Sequence, residues 1–185
     1  ARNCILMFIV FDLETTCWDG NPPTDIREVI EIGALRLDRF GQVVGRFNRF
    51  VRPTHFPMLS PFCKKLTSIS QIDVNRSATF ERAIKEFYDW IRPEDDEYLL
   101  CAWGNFDQKQ LMRECEMHHF DGFWLEPYIN IKKQYHRLRK LKHTYGLKST
   151  VQREGFEFEG HHHRAEWDAL NLAKIVSKFV DEWMF

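Results

Sequence analysis

Two acids two positions apart, Asp12 and Glu14, close an unbroken apolar run from Ile5 to Phe11. Such a run reads as a strand buried on both faces. Side chains alternate along a strand, so both carboxylates point to one side, with Cα atoms roughly 6.5–7 Å apart. They repel each other and are poorly hydrated. Either the pair shares a proton or holds a cation, or it is simply an acidic strand end meeting solvent. Three more groups bear on that choice. Asp107, in Asn105-Phe106-Asp107, follows another apolar run and opens a helix. It either caps free N–H groups there or joins the pair, because ligand sites in mixed α/β sheets gather at C-terminal strand ends. Asp168 shares a helical face with Leu172, Ile175 and Phe179. It therefore points inward, toward a basic partner or a metal. His163 ends the run His161-His162-His163, five residues before Asp168. A histidine run in a loop is either solvated or brings an imidazole over the acids, as a general base for deprotonating water.

The elements that must position these groups follow from hydrophobic periodicity. After a polar loop, residues 28–37 alternate as a second strand, and Gly41 turns the chain into a third over Val43–Val51. Together they predict a three-strand antiparallel meander. Pro53 to Pro61 reads as a loop and Phe62 to Val74 as short helical turns. Phe80, Ile84, Phe87 and Ile91 recur at helical spacing, with Thr79 as N-cap and Pro93 as the stop. Tyr98–Trp103 is a fourth, buried strand closed by Gly104, and a helix from about Phe106 to Met117 buries Leu111 and Cys115. Ile129-Asn130-Ile131 predicts a short fifth strand. A last helix runs from near Ala165 to the chain end, burying Leu172, Ile175, Val176, Phe179 and Trp183. The order β-β-β-α-β-α-β-α predicts an α/β fold on a mixed sheet, one domain over residues 1–185. If the first and fourth strands are parallel neighbours, Asp12, Glu14 and Asp107 converge.

Composition excludes several classes. A 44% hydrophobic and 29% charged chain is not disordered, and a net charge of −1 gives no bulk attraction to nucleic acid. The five cysteines (Cys4, Cys17, Cys63, Cys101 and Cys115) are scattered, odd in number and lack a Cys-x-x-Cys, which favours free thiols in a reducing compartment. Cys115 and His118 have metal-like spacing, but no second pair accompanies them. No stretch is long enough to span a membrane. The apolar start runs into Asp12 without a small-residue cleavage site, so it reads as a strand and not a signal peptide. A cytoplasmic location without a membrane partner is the expectation.

Three motifs in order resemble the DEDDh 3′–5′ exonuclease superfamily, the DnaQ-like group with a ribonuclease-H-like fold. They are Phe11-Asp12-Leu13-Glu14-Thr15-Thr16, Asn105-Phe106-Asp107 with Leu111 beyond it, and His163 spaced from Asp168-Ala169. Residues 28–34, 62–71, 146–149 and 156–160 are similar to the branch of enhanced-RNAi and histone-mRNA 3′-end exonucleases and bacterial KapD-like proteins. The resemblance implies a five-stranded mixed sheet flanked by helices. It implies two divalent cations, Mg²⁺ or Mn²⁺, on Asp12, Glu14, Asp107 and Asp168, with His163 as general base. Hard carboxylate oxygens suit those ions, and two of them can hold the attacking water and the leaving 3′ oxygen.

The same resemblance implies that Phe62 and Phe106 sandwich the terminal base, although ordinary core packing is the alternative for each. Backbone around Leu13 and Thr15 would meet the terminal sugar and phosphate. The implied substrate is a single-stranded 3′ end, RNA favoured over DNA, releasing nucleoside 5′-monophosphates with no obligatory protein partner. A DNA-directed exonuclease is the alternative enzyme. An inactive nucleic-acid-binding regulatory module would have lost a ligand or the base, and all five positions are filled. Ile131 to Arg153 holds eight Lys and Arg, from Lys132 to Arg153, and no acid. That stretch is either a solvated helical face or a track for strand phosphates.

Overall fold

The computed structural model describes residues 6–185. Ile5 and Cys4 lie outside them. The first strand, β1 (Leu6–Thr15), pairs antiparallel with β2 (Val29–Leu37), which pairs antiparallel with β3 (Val43–Phe50). Two short helices, α1 (Pro61–Thr67) and α2 (Gln71–Asn75), lead to α3 (Phe80–Ile91). Then come β4 (Glu97–Ala102), α4 (Phe106–Met117) and β5 (Tyr128–Asn130). Three helices close the chain: α5 (Ile131–Leu138), α6 (Leu147–Arg153) and α7 (Ala165–Lys178). The sheet order is β3-β2-β1-β4-β5, with β4 parallel to both β1 and β5. This is the predicted α/β mixed sheet, meander first and crossovers after.

Alternation along β1 sends its side chains into two cores. Ile9 and Phe11 join Phe87, Leu100 and Leu111 beneath α3 and α4. Phe8 and Val10 join Tyr135, Val151, Leu172 and Val176 beneath α5, α6 and α7. Each such side chain contributes about 1.5–3 kcal/mol when fully buried, so β1 is held from both faces. Asp12 and Glu14 continue the even-numbered face, toward α7.

The acids lie in the last residues of the strand as expected, β1 running to Thr15 paired with β2. Three expectations need correction. Thr79 occupies the N-cap position of α3, yet its side chain makes no capping hydrogen bond. The last helix stops at Lys178, and Trp183 is buried from the following turn, donating from Nε1 to the Val176 carbonyl at 2.9 Å. The basic stretch contains two helices, α5 and α6, that hydrophobic spacing did not announce. Its apolar positions are few: Ile131 and Tyr135 anchor α5, and Leu147 and Val151 anchor α6.

Candidate active site

β1 outlasts its parallel neighbour. Pairing with β4 ends at Val10 opposite Cys101, while pairing with β2 continues to Thr15. The edge of β1 beyond Val10 therefore faces a gap, with backbone donors to satisfy. Asp107 enters that gap from the first turn of α4, and its Oδ1 accepts from the Leu13 N–H at 3.2 Å. It is 6% exposed, and α4 has no side-chain cap at all. Asp107 is therefore not a helix cap; it is bound to the backbone between the two acids of β1. Behind it, Glu114 fixes α4 to the sheet by accepting from the Val29 N–H at 2.9 Å and Gln110 at 3.0 Å.

The other side of the cleft is set by a close approach. Gly33 lies opposite Asp12 on β2, and a Cβ there would sit 2.3 Å from the Ala165 carbonyl carbon. The first turn of α7 thus rests directly on the strand. Glu31, fully buried two residues earlier, accepts from Arg164 Nε at 3.0 Å, Arg164 Nη2 at 3.1 Å, the Ala165 N–H at 3.0 Å and Asn48 at 2.9 Å. These contacts orient α7 so that Asp168, one turn in and 5% exposed, meets Asp12 and Glu14. Ligand oxygens of Asp12, Glu14 and Asp168 lie within 4.8 Å of one another.

His163 adopts a left-handed φ of 67°, which turns the loop back over the acids. Its N–H donates to Asp168 Oδ2 at 3.0 Å. His162 stacks on it at 4.0 Å between ring centroids and is linked through Nδ1 to Asp168 Oδ1 at 2.8 Å. His162, His163 and Asp168 make a second group with ligand atoms within 4.8 Å. Among the described residues, no Lys or Arg forms a salt bridge to Asp168; Arg164, the nearest in sequence, is taken by Glu31. The inward acid therefore pairs with the His162 imidazole and with no Lys or Arg among the described residues.

Electrostatics follow from this crowding. Burial, then repulsion from Asp107, Glu14, Asp168 and Glu31, pushes the Asp12 carboxyl well up. Burial, then Asp168 and Glu31, raises Glu14 to about 9. Burial raises Asp107 to about 7, against the opposing Leu13 hydrogen bond. Burial, then the neighbouring His162, lowers the His163 imidazole against the opposing charge of Asp168. Clustered carboxylates without a counter-charge hold protons unless a cation displaces them. The clustered carboxylates are hard oxygen donors with two imidazoles beside them, and so fit a divalent ion of the Mg²⁺ or Mn²⁺ type.

Phe62 and Phe106 are 38% and 48% exposed, so neither is a core residue. Phe106 opens α4 immediately before Asp107. Phe62 sits on α1, which is fastened to the end of β1. Ser60 Oγ donates to the Cys17 carbonyl at 2.6 Å, and Cys63 Sγ to the Thr15 carbonyl at 3.7 Å. Glu28 holds the preceding loop by accepting from the N–H groups of Thr54, His55 and Phe56 at 2.6, 2.9 and 2.9 Å. Leu13 and Thr15 are buried in β1, their backbone beside the acids.

The family model for exonucleases (RNase_T) matches residues 9–176. The chain belongs to the exonuclease family. It is 29% identical over 182 residues to human 3′–5′ exoribonuclease 1, covering 94% of this chain and 52% of that protein. It is also 29% identical over 177 residues to the probable 3′–5′ exonuclease KapD of Bacillus subtilis, covering 94% and 84%. Among solved structures, the nuclease domain of 3′hExo, a DEDDh family member bound to rAMP, superposes with a TM-score of 0.88 at 27% identity. That match covers 98% of this chain and 94% of that one. The chain spans about half the length of the human relative. The ribonuclease-H-like fold and the DEDDh grouping expected from the motifs are those of the family, which is metal-dependent. No helix among the described residues is long and apolar enough to cross a membrane.

Glu31, Gly33 and Arg164 escaped the sequence reading as parts of the site. A signal was present: an acid in the middle of the apolar strand Val29–Leu37 demands a partner, and Arg164 follows the histidine run.

Proposed function

We propose that residues 1–185 act as one nuclease unit, a metal-dependent exonuclease that removes nucleoside 5′-monophosphates from single-stranded 3′ ends, RNA preferred. The observation that carries this reading is the meeting of the Asp12, Glu14 and Asp168 carboxylates, with Asp107 bound to the backbone between the first two. They lie beside the imidazoles of His162 and His163, and among the described residues no Lys or Arg forms a salt bridge to Asp168. Asp12, Glu14, Asp107 and Asp168 would hold two divalent ions, Mg²⁺ or Mn²⁺. When bound, such ions neutralise the acids and stabilise both the attacking and leaving oxygens of an in-line displacement. His163 accepts the proton of the attacking water. The new bond joins the water oxygen to phosphorus and the P–O3′ bond breaks, leaving a 3′-hydroxyl on the shortened strand. Phe62 and Phe106 stack on the terminal base, and the backbone around Leu13 and Thr15 meets its sugar. Preference for RNA is supported by the exoribonuclease name of the human relative and the rAMP in the related domain. The free Cys17, Cys63, Cys101 and Cys115 suit a reducing compartment, the cytoplasm, and no protein partner is required by this chemistry.

The test compares 5′-labelled single-stranded RNA and DNA with Mg²⁺, Mn²⁺ or EDTA. A ladder shrinking from the 3′ end, abolished by EDTA and Asp12→Ala, is expected. His163→Ala should slow it by about 10²–10⁴-fold, the usual worth of general-base catalysis. Faster loss of DNA would overturn the RNA preference. Tight binding of either strand without cleavage would leave a regulatory binding module.

A further inference from the structure

The free edge of the sheet carries a second basic feature, far in sequence from the stretch 131–153. An open groove of about 630 Å³ runs between β3, the turn before α3 and the first turns of α3. Its walls include Arg49, Arg52, Arg76 and Arg82 against the single acid Glu86. Glu86 is shared by Arg49 at 2.8 Å and Arg82 at 3.1 Å. Among the described residues, Arg52 and Arg76 form no salt bridge, so the groove keeps a surplus of guanidinium charge. Guanidinium groups present planar pairs of donors that match phosphate oxygens. The N-terminus of α3, where the Thr79 side chain makes no capping hydrogen bond and Glu81 sits in the first turn, lies in the same wall.

Two residues that line the groove also touch the side chains that seat α7 beside the catalytic acids. Phe50, on its floor, lies under the Arg164 guanidinium at 5.0 Å, and Arg164 directly follows His163. Asn48, also on the floor, donates to Glu31, the residue that holds Arg164. His161 meets Ser68 at the C-terminal end of α1 at 3.1 Å. By contrast, part of the 131–153 stretch is already neutralised within the fold. Arg139 pairs with Glu154 at 2.7 Å, and Lys178 from α7 adds to the same acid at 2.8 Å.

We propose that this arginine groove holds phosphates of the nucleic-acid strand upstream of its 3′ end, so that the substrate leaves the cleft past Arg164 along the edge of β3. The inference rests on the exonuclease reading and extends it to the path of the strand. Specificity for sequence is not expected there, because charge on phosphates carries no base information.

The test is the double variant Arg52→Gln/Arg76→Gln, both positions being exposed and outside the catalytic cluster. Three measurements are made on parent and variant. Hydrolysis of a nucleoside 5′-phosphate p-nitrophenyl ester reads the cleft alone and is expected to be unchanged. KM for a long single-stranded RNA is expected to rise about tenfold, with the salt slope reduced by about 1.4, roughly 0.7 for each phosphate no longer neutralised. Binding of the same RNA in EDTA, followed by fluorescence anisotropy, should weaken by a similar factor. Equal affinity and equal salt slope in parent and variant would overturn the groove, whatever the ester shows. Failure of the parent to cleave either substrate would count against the exonuclease reading, and the EDTA binding would still decide the groove.

Discussion

Gly33→Ala isolates the contact that seats α7 on the sheet. The added Cβ would lie 2.3 Å from the Ala165 carbonyl carbon, 2.4 Å from its oxygen and 2.5 Å from the Glu166 nitrogen. All three are backbone atoms, so no side chain can swing aside. Ordinary contact begins near 3.4 Å, which requires the first turn of α7 to move by about 1 Å relative to β2. Asp168 rides on that turn, three residues beyond Ala165, and its oxygens now lie within 4.8 Å of those of Asp12 and Glu14. A displacement of about 1 Å in a reacting group can cost on the order of 10²-fold in rate, while overpacking costs about 1–3 kcal/mol of stability. The variant should therefore fold, melt somewhat lower and cleave single-stranded RNA about a hundredfold more slowly. Metal-induced stabilisation should shrink with it, which thermal melts with and without Mn²⁺ would read. A folded Gly33→Ala protein with cleavage within twofold of the parent would refute the claim that this approach positions Asp168.

Other outcomes follow from the same geometry. Glu14 and Asp107 are raised to about 9 and about 7 in the fold, above their ordinary 4.5 and 3.8, so the fold binds protons more tightly than the unfolded chain does. Their contribution to stability is full below about pH 4 and is lost as pH rises through those folded values. Metal-free melts should fall along that range, and Mg²⁺ or Mn²⁺ should stabilise more at pH 8 than at pH 6; a pH-independent metal effect would contradict the cluster. Glu31→Gln leaves Arg164, whose side chain is 19% exposed, without its counter-charge. Allowing for that exposure, it should cost about 2–4 kcal/mol, read as a fall in Tm of about 5–12 °C. Phe62→Ala and Phe106→Ala remove part-exposed rings and should change Tm little. Each should raise KM by about 5–150-fold if it stacks on a base, and unchanged KM values would return both rings to ordinary surface residues.

The chemistry was more legible than the carpentry behind it. Asp12 and Glu14 are two apart on a strand, and a period of two puts them on one face whatever the strand packs against. Asp168 declared itself as an acid on an apolar helical face, and α4 begins and ends where its apolar spacing predicts. The basic helices α5 and α6 were not placed, because both are short and each buries only two apolar side chains, Ile131 and Tyr135 in one and Leu147 and Val151 in the other. The role of Asp107 stayed open for a similar reason. A short acid at a helix start is an ordinary cap, and only the early end of β4 beside β1 creates the unpaired Leu13 N–H that it satisfies.

Local sequence thus determined the strand that carries two acids, the helix starts that carry two more, and the loop that carries the histidines. Whether they meet was decided by tertiary contacts between residues far apart in the chain. Glu31 reaches Arg164 across 133 residues and Asp107 reaches Leu13 across 94. The absence of a Cβ at Gly33 sets how closely α7 approaches. Alternation and helical periodicity act over a few residues and say which way a side chain points. The distance to its partner depends on how the sheet, once assembled, lets the helices settle on it.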